Sequence, residues 1–299
     1  MPSLLDKTIA ALLPAVPKSL VRKFSSPYIA GESFEDAARV SSELRLGGVN
    51  STMDILGENV STREKAIEYT DAYFDLLSEQ ERFGLDLNVS VKLSMLGLTI
   101  DREFCLENMQ RLVGQARDLK SKIRIDMEDS STTDDTLWVF RKLREDYENI
   151  GIVLQAYLHR CLADVKSLAD LKPDFRLCKG IYIEPAKVAI QDAAEINDNF
   201  MRVLEAMFDA GSYVGIATHD DKLIDRTRDL LRSKGLGPER YEFQMLLGVQ
   251  PRLRKQILRE GHPLRIYIPY GRDWYAYSIR RLKDNPAVAG HVFRSMFRK

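Results

Sequence analysis

Short apolar runs recur along the chain at intervals of roughly 23 to 40 residues, with amphipathic stretches between them. Eight runs read as strands: GGVNSTMDIL, LNVSVKLSM, KIRIDME, GIVLQAYL, FRLCKGIYI, SYVGIAT, YEFQMLLG and PLRIYIPYG. The intervening segments read as helices. After the first strand, Ser61 and Glu64 have capping-box spacing, Ile67, Phe74 and Leu77 mark one face, and Gly84 supplies a stop. After the fifth, Ile196, Phe200, Val203, Leu204 and Met207 form an apolar stripe that ends near Gly211. Strand alternating with helix predicts an α/β fold built of βαβ units on a parallel sheet. Eight units in one chain favour a closed (β/α)8 TIM-type barrel, with extra N-terminal helices and a final helix over the C-terminal face. An open doubly wound sheet competes. It would show a Gly-rich phosphate turn after its first strand, and ILGEN does not supply one. The expected division is an N-terminal helical segment over residues 1–30 and a barrel catalytic domain over 31–299.

Composition narrows the class. The chain has 299 residues, 44 % hydrophobic and 29 % charged, in the range of a soluble globular protein. Its 44 Lys and Arg balance 44 Asp and Glu, so the basic excess of a nucleic-acid binder is missing. Cys105, Cys161 and Cys178 are far apart, with no metal or redox spacing, and the four histidines are scattered. A reducing, cytoplasmic setting without a resident metal is the simplest inference. No apolar run approaches the roughly 20 residues of a membrane-spanning helix. The N-terminal MPSLLDKTIAALLPAVPKSLVRKF is interrupted by Asp6 and Lys7 and reads as a helix rather than a leader. The C-terminal HVFRSMFRK is basic and aromatic; it reads as a solvated tail, or in the sharper reading as a weak peripheral contact with the inner face of an anionic membrane.

The chemistry of such a barrel sits at the C-terminal ends of its strands. There stand Lys92, Asp126 and Glu128, Gln155, Arg176, Lys179 followed by Gly180, Thr218 to Asp220, and Tyr267 with Tyr270. Each has a bland reading. Lys92 and Asp126 would pair as a structural bridge, His219 would be a hydrogen-bonded core residue, and Arg280 and Arg281 would form a solvated face paired with Asp284. Jointly they are harder to dismiss, because charges on several strands at one barrel end need partners or a ligand. In the helix after Gly271, Tyr277, Arg280 and Arg281 share a face, while Tyr275, Ile279 and Leu282 share an apolar one. Two guanidiniums suit a carboxylate, and the tyrosine suits the flat side of a small ring. The ligand read from this face is a small, partly apolar carboxylic acid.

VSVKLSMLGL, IRIDMEDS, IVLQAYL, FRLCKGIYIE, GIATHD, EFQMLLG and RIYIPYGRDWYAYSIRRL, in that order, resemble proline dehydrogenase over most of the chain, from about Tyr28 to Pro286. The resemblance implies a (β/α)8 barrel with non-covalent FAD. It implies oxidation of L-proline to 1-pyrroline-5-carboxylate, the first step of proline catabolism, with electrons passed to a quinone. Asp126 and Arg176 fall on the active-site pair. Lys92, Tyr267, Tyr277, Arg280 and Arg281 fall on substrate-binding positions. Met127, Gln155, Arg176, Lys179, Gly180, Ile181, Thr218 and His219 fall on FAD-contacting positions. Glu58 falls on the acidic partner that closes over Arg280. Ile181 stands where alanine is common in the family, a tolerable change if the contact is through backbone. With no aldehyde dehydrogenase portion following, the one-reaction form is expected. The rival from another class is a Schiff-base lyase on the same barrel, using Lys92 or Lys179 as the nucleophilic amine.

Overall fold

The structure, a computed structural model, describes residues 18–57 and 59–284, with residues 19, 20, 23, 24 and 280–284 described by backbone alone. Strands β1 (Asn50–Ile55), β2 (Asn88–Lys92), β3 (Lys122–Asp126), β4 (Ile150–Gln155), β5 (Asp174–Cys178), β6 (Tyr213–Ala217), β7 (Tyr241–Leu246) and β8 (Leu264–Tyr270) close in sequence order into a barrel. Every pairing is parallel, including β1 with β8. Helices α1 (Lys18–Ser25) and α2 (Phe34–Leu46) precede β1. After the successive strands come α3 (Arg63–Arg82), α4 (Arg102–Asp118), α5 (Thr133–Arg144), α6 (Cys161–Leu168), α7 (Ala193–Asp209), α8 (Asp221–Ser233), α9 (Pro251–Arg259) and α10 (Trp274–Asp284). All eight expected strands are present, within a few residues of the runs that predicted them. Most of the expected helical segment over residues 1–30 lies outside the described residues; its described part includes α1.

The period-two alternation of the strands sorts their side chains. Odd-numbered residues on β2, β3, β5 and β7, such as Val89, Val91, Ile123, Ile125, Phe175, Leu177, Phe243 and Met245, are buried and apolar. Each contributes about 1.5–3 kcal/mol when removed from water. Even-numbered residues on the same strands include Ser90, Lys92, Arg124, Asp126, Asp174, Arg176, Glu242 and Gln244. Hydrogen bonds run from Arg176 on β5 to Ser90 on β2, and from Tyr267 on β8 to Asp126 on β3. Those strands are not neighbours, so the bonds cross the barrel interior. The apolar face therefore meets the helices, and the interior is polar and hydrogen-bonded, where branched apolar residues were the ordinary expectation for a barrel of this kind.

Two details of α3 differ from the expected pattern. Its N-cap is Thr62, whose side chain accepts from Lys65 N–H, and not Ser61. Its buried residues are Ala66, Thr70, Tyr73, Leu76, Leu77 and Gln80, leaving Ile67 41 % exposed. The spacing of four, three and four from Ala66 to Leu77 puts that stripe about 100° round from Ile67 and Phe74, and three of the buried residues are small or polar, which hides the face from a hydrophobic pattern. The stripe of α7 is as expected, with Phe200, Val203, Leu204 and Met207 buried. At the C-terminal side of the barrel the backbone after α1 is tied to β8, with Ala30 N–H donating to Pro269 O and Gly271 N–H to Gly31 O. Helix α10 starts just past β8 and packs on α1, where Arg22 lies over the Trp274 ring and Lys18 over that of Tyr275.

Candidate active site

The strand ends bring five groups into one network. Parallel register sets Lys92 at the end of β2 opposite Asp126 at the end of β3. The two do not pair with each other. Lys92 Nζ donates to Asp54 Oδ1 on β1 at 2.5 Å, and lies 3.5 Å from Tyr267 OH. Tyr267 OH donates to Asp126 Oδ2 at 2.8 Å, and Arg176 Nη1 donates to Asp126 Oδ1 at 2.7 Å. The Arg176 guanidinium also lies over the Tyr267 ring, 5.3 Å from its centroid.

Burial decides the protonation states. It would lower the Lys92 ammonium, but Asp54, Asp126 and Glu128 push it up, so Lys92 stays a cation. Burial raises the Asp54 carboxyl, against the pull of Lys92. Tyr267 is raised well above the ordinary phenol value by burial and by Asp126 and Asp54, so it remains a donor. Burial lowers Arg176, with Asp126 opposing. Glu128 is also pushed up by burial, although Ser94 N–H and Oγ both donate to it, at 2.9 and 2.5 Å. A cavity of about 260 Å³ opens here, lined by Lys92, Ser94, Glu128, Gly57, Asp129 and Tyr182 among others.

A second group lies around β4, β5 and β6. Gln155 Nε2 donates to the carbonyls of Met127 and Glu128, both at 3.2 Å, which fixes the amide with Oε1 buried and without a partner. Lys179 Nζ is 2.6 Å from Asp220 Oδ2, which also accepts from Asn197 Nδ2 at 3.2 Å. Asn197 Oδ1 is a further buried acceptor without a partner. Gly180 has φ +112, and a Cβ there would run into the Tyr157 ring, so glycine is required at that turn. Ile181 is 56 % exposed beyond it. Thr218 Oγ1 accepts from Asp220 N–H, and His219 Nε2 accepts from Leu246 N–H at 2.9 Å, leaving Nδ1 as the ring's donor. Among the described residues no three His, Cys, Asp or Glu side chains form a metal-binding group.

The orphan atoms define what the site can hold. Arg176 Nη2 is buried with no acceptor, and Gln155 Oε1 is buried with no donor. A buried donor and acceptor left open cost free energy unless a ligand fills them. A planar heterocycle with carbonyl oxygens and a ring N–H would offer each a partner of the right kind, which is the chemistry of an isoalloxazine edge. The residues present therefore fit a flavin.

Tyr277 is half-buried on α10, and its N–H bonds to Asp273 O. Glu58 and the side chains of Arg280 and Arg281 lie outside the described residues, as does the Glu58–Arg280 pair. Sequence reasoning missed Asp54, the partner of Lys92, and it missed Ser90, Glu242, Gln244 and Arg265 in the interior. The signal was available in the alternation of YEFQML and LRIYIPY, whose second and fourth places carry every polar side chain except Tyr241 and Tyr270.

A closed parallel barrel with ion-paired charges at its strand ends has the architecture of a (β/α)8 barrel enzyme. The chain matches the proline dehydrogenase family over residues 37–294. It is 38 % identical to Proline dehydrogenase of Deinococcus radiodurans over 276 residues, covering 91 % of this chain and 89 % of that protein. It is 36 % identical to Proline dehydrogenase 2 of Bacillus subtilis, with the same coverage of 91 % and 89 %. Proline utilization A from Bdellovibrio bacteriovorus, solved after inactivation by N-propargylglycine, shares the fold at TM-score 0.84 and 24 % identity, across 92 % of this chain and 36 % of that one. The chain belongs to the proline dehydrogenase family.

Proposed function

We propose that the chain oxidises L-proline to 1-pyrroline-5-carboxylate, with FAD held non-covalently at the strand ends and electrons passed on to a quinone. The observation that carries this reading is the open pair of Arg176 Nη2 and Gln155 Oε1, buried beside the Asp126–Arg176 ion pair. Gln155, Arg176, Thr218 and His219 would hold the flavin, with the backbone of Met127, Gly180 and Ile181 and the Lys179–Asp220 pair. Flavin, when bound, supplies the acceptor for the hydride that leaves the ring carbon next to proline's nitrogen.

The protein's own share is placement and field. Arg280 and Arg281 would clamp the carboxylate in bidentate fashion, and Tyr277 and Tyr267 would bound the ring. Lys92, held as a cation by Asp54, would oppose protonation of the proline amine, which must be neutral to expel hydride. Asp126 would orient Arg176 and Tyr267, keeping a positive charge where negative charge develops. Glu58 would close over Arg280 and exclude water. The lyase reading loses ground on the same facts. A Schiff-base lysine must be a neutral amine, yet Lys92 is held protonated against Asp54, and Lys179 lies 2.6 Å from Asp220.

The setting we propose is the cytoplasm, with the enzyme meeting its quinone at the membrane's inner face through a weak peripheral contact. The three cysteines are free, which agrees with a reducing compartment, and no described helix is long and apolar enough to cross a membrane. An absorbance spectrum tests the function. The purified protein should be yellow and bleach on anaerobic addition of L-proline. A colourless protein that FAD cannot reconstitute overturns the reading.

A further inference from the structure

Behind Arg176 the barrel interior holds a second line of hydrogen bonds that the proposed chemistry does not use. Arg176 Nε donates to Gln244 Oε1 on β7 at 2.5 Å. Gln244 Nε2 donates to Glu242 Oε1 at 2.7 Å, two residues back on the same strand face. Glu242 Oε1 also accepts from Arg265 Nε on β8 at 2.6 Å. Arg265 is itself held by Asp86 Oδ2 at 2.6 Å and by Ser51 O at 2.5 Å. Glu242, Gln244 and Arg176 are all buried.

This order of residues is chemically directed. An ionised carboxylate only accepts and a guanidinium only donates, so the amide between them has one workable orientation. The backbone makes room for it: Gly215 on β6 faces Gln244, and a Cβ at that glycine would strike the amide. The arrangement also separates geometry from charge. Glu242 and Asp86 share Arg265 on the far side of the amide, so what reaches Arg176 directly is the neutral amide oxygen of Gln244. Nε is held by Gln244, and Nη1 by Asp126 at 2.7 Å and Ser90 at 3.1 Å. The guanidinium plane is thereby fixed, and Nη2 is the nitrogen left open.

We propose that Gln244 is a positioning residue for Arg176, a neutral link that locks the guanidinium toward the cofactor without cancelling its charge. This rests on the flavin reading and deepens it. A carboxylate at position 244 would hold the same nitrogen and lower the field at the flavin. A methionine would leave Nε and Glu242 without their amide partner and let the guanidinium turn.

The test uses the FAD-loaded enzyme and reads the FAD dissociation constant and the flavin midpoint potential beside kcat and KM. Gln244→Met is expected to weaken FAD binding about tenfold or more, the effect of losing a hydrogen bond to a charged group. It should lower kcat while KM for proline stays within about twofold. The paired exchange Glu242→Gln with Gln244→Glu keeps every donor facing an acceptor, but moves the negative charge onto Arg176. It is expected to bind FAD near the parent's affinity with a more negative midpoint potential. Gln244→Glu alone, which sets two carboxylates together, should bind FAD more weakly than the exchange does. If Gln244→Met does not fold, the exchange decides. An exchange that keeps the parent potential, or that is no better than Gln244→Glu alone, overturns the proposal, and so does a folded Gln244→Met with parent FAD affinity and kcat. A parent that takes up no FAD overturns the flavin reading and this proposal together. A parent that bleaches with proline beside an unaltered Gln244→Met overturns this proposal alone.

Discussion

Lys92 Nζ stands 2.5 Å from Asp54 Oδ1, and Asp54 is 1 % exposed, with its second oxygen buried and unpartnered. The lysine's charge is therefore set from the wall of β1, behind the site. Removing the carboxylate's charge takes away the largest effect opposing burial, so the Lys92 ammonium should come down although Asp126 and Glu128 still raise it. In Asp54→Asn, Lys92 then deprotonates at lower pH than in the parent, and catalysis that needs the cation fails earlier as pH rises. The measurement is kcat/KM for proline against pH. The alkaline limb should move to lower pH in the variant, and superposed profiles would show that Asp54 does not govern Lys92.

Asp126 joins Arg176 Nη1 at 2.7 Å to Tyr267 OH at 2.8 Å, which makes it an orienter of both groups. Asp126→Ala should therefore lower kcat, by about 10²-fold if the guanidinium moves by an ångström, with a smaller change in KM. Steady-state kinetics decide this. Intact turnover with a raised KM would make Asp126 a substrate contact.

The fold was legible because each strand has an apolar face on the helix side and the helices between carry stripes. The site was half legible. Lys92, Asp126, Arg176 and Lys179 betrayed themselves as charges at strand ends, where a barrel enzyme works. Asp54 did not, because it reads as one acid among many until the closure of β1 onto β8 and the register Asp54↔Ser90 bring it beside Lys92. Gln244 and Glu242 lie deeper in β7, and their partners Arg176 and Arg265 come from β5 and β8. Contacts across a barrel interior are set by closure and shear, which no local pattern encodes.

The other end of the interior is structural. Arg124 Nη2 meets Asp174 Oδ1 at 2.6 Å, and Lys122 adds a second cation at 3.3 Å. Burial would raise the Asp174 carboxyl, but these cations hold it below the usual value. A depressed carboxylate stabilises the fold above its unfolded value of about 3.9 and loses that contribution as pH falls through its lower folded value. Asp174→Asn should therefore cost about 3 kcal/mol at neutral pH, as for a broken buried pair, with the deficit shrinking below about pH 3.9. Urea unfolding of parent and variant across that window checks the sign. A deficit that grows on acidification would contradict it.

On the function proposed above, Arg280 and Arg281, adjacent in sequence on α10, would hold one small carboxylate between their two forks. Either change to methionine removes a charge-assisted hydrogen bond worth on the order of 1.5–3 kcal/mol, so binding should weaken about tenfold or more. Lysine should not restore it fully, since a point charge lacks the planar fork. On the same proposal Arg280 would have a second duty with Glu58, forming a lid that excludes water once substrate is bound. Glu58→Ala should thus weaken the closed state and leave the FAD spectrum unchanged, whereas Gln155→Ala, which empties a position proposed to face the flavin, should alter it. The probe is the dissociation constant of tetrahydrofuran-2-carboxylate, which keeps the carboxylate and the ring but has no nitrogen to drive out hydride. If Arg280→Met and Arg281→Met both bind that analogue as tightly as the parent, the pair is a solvated helix face, and recognition of the carboxylate must be sought among Lys92 and the other cations of the strand ends.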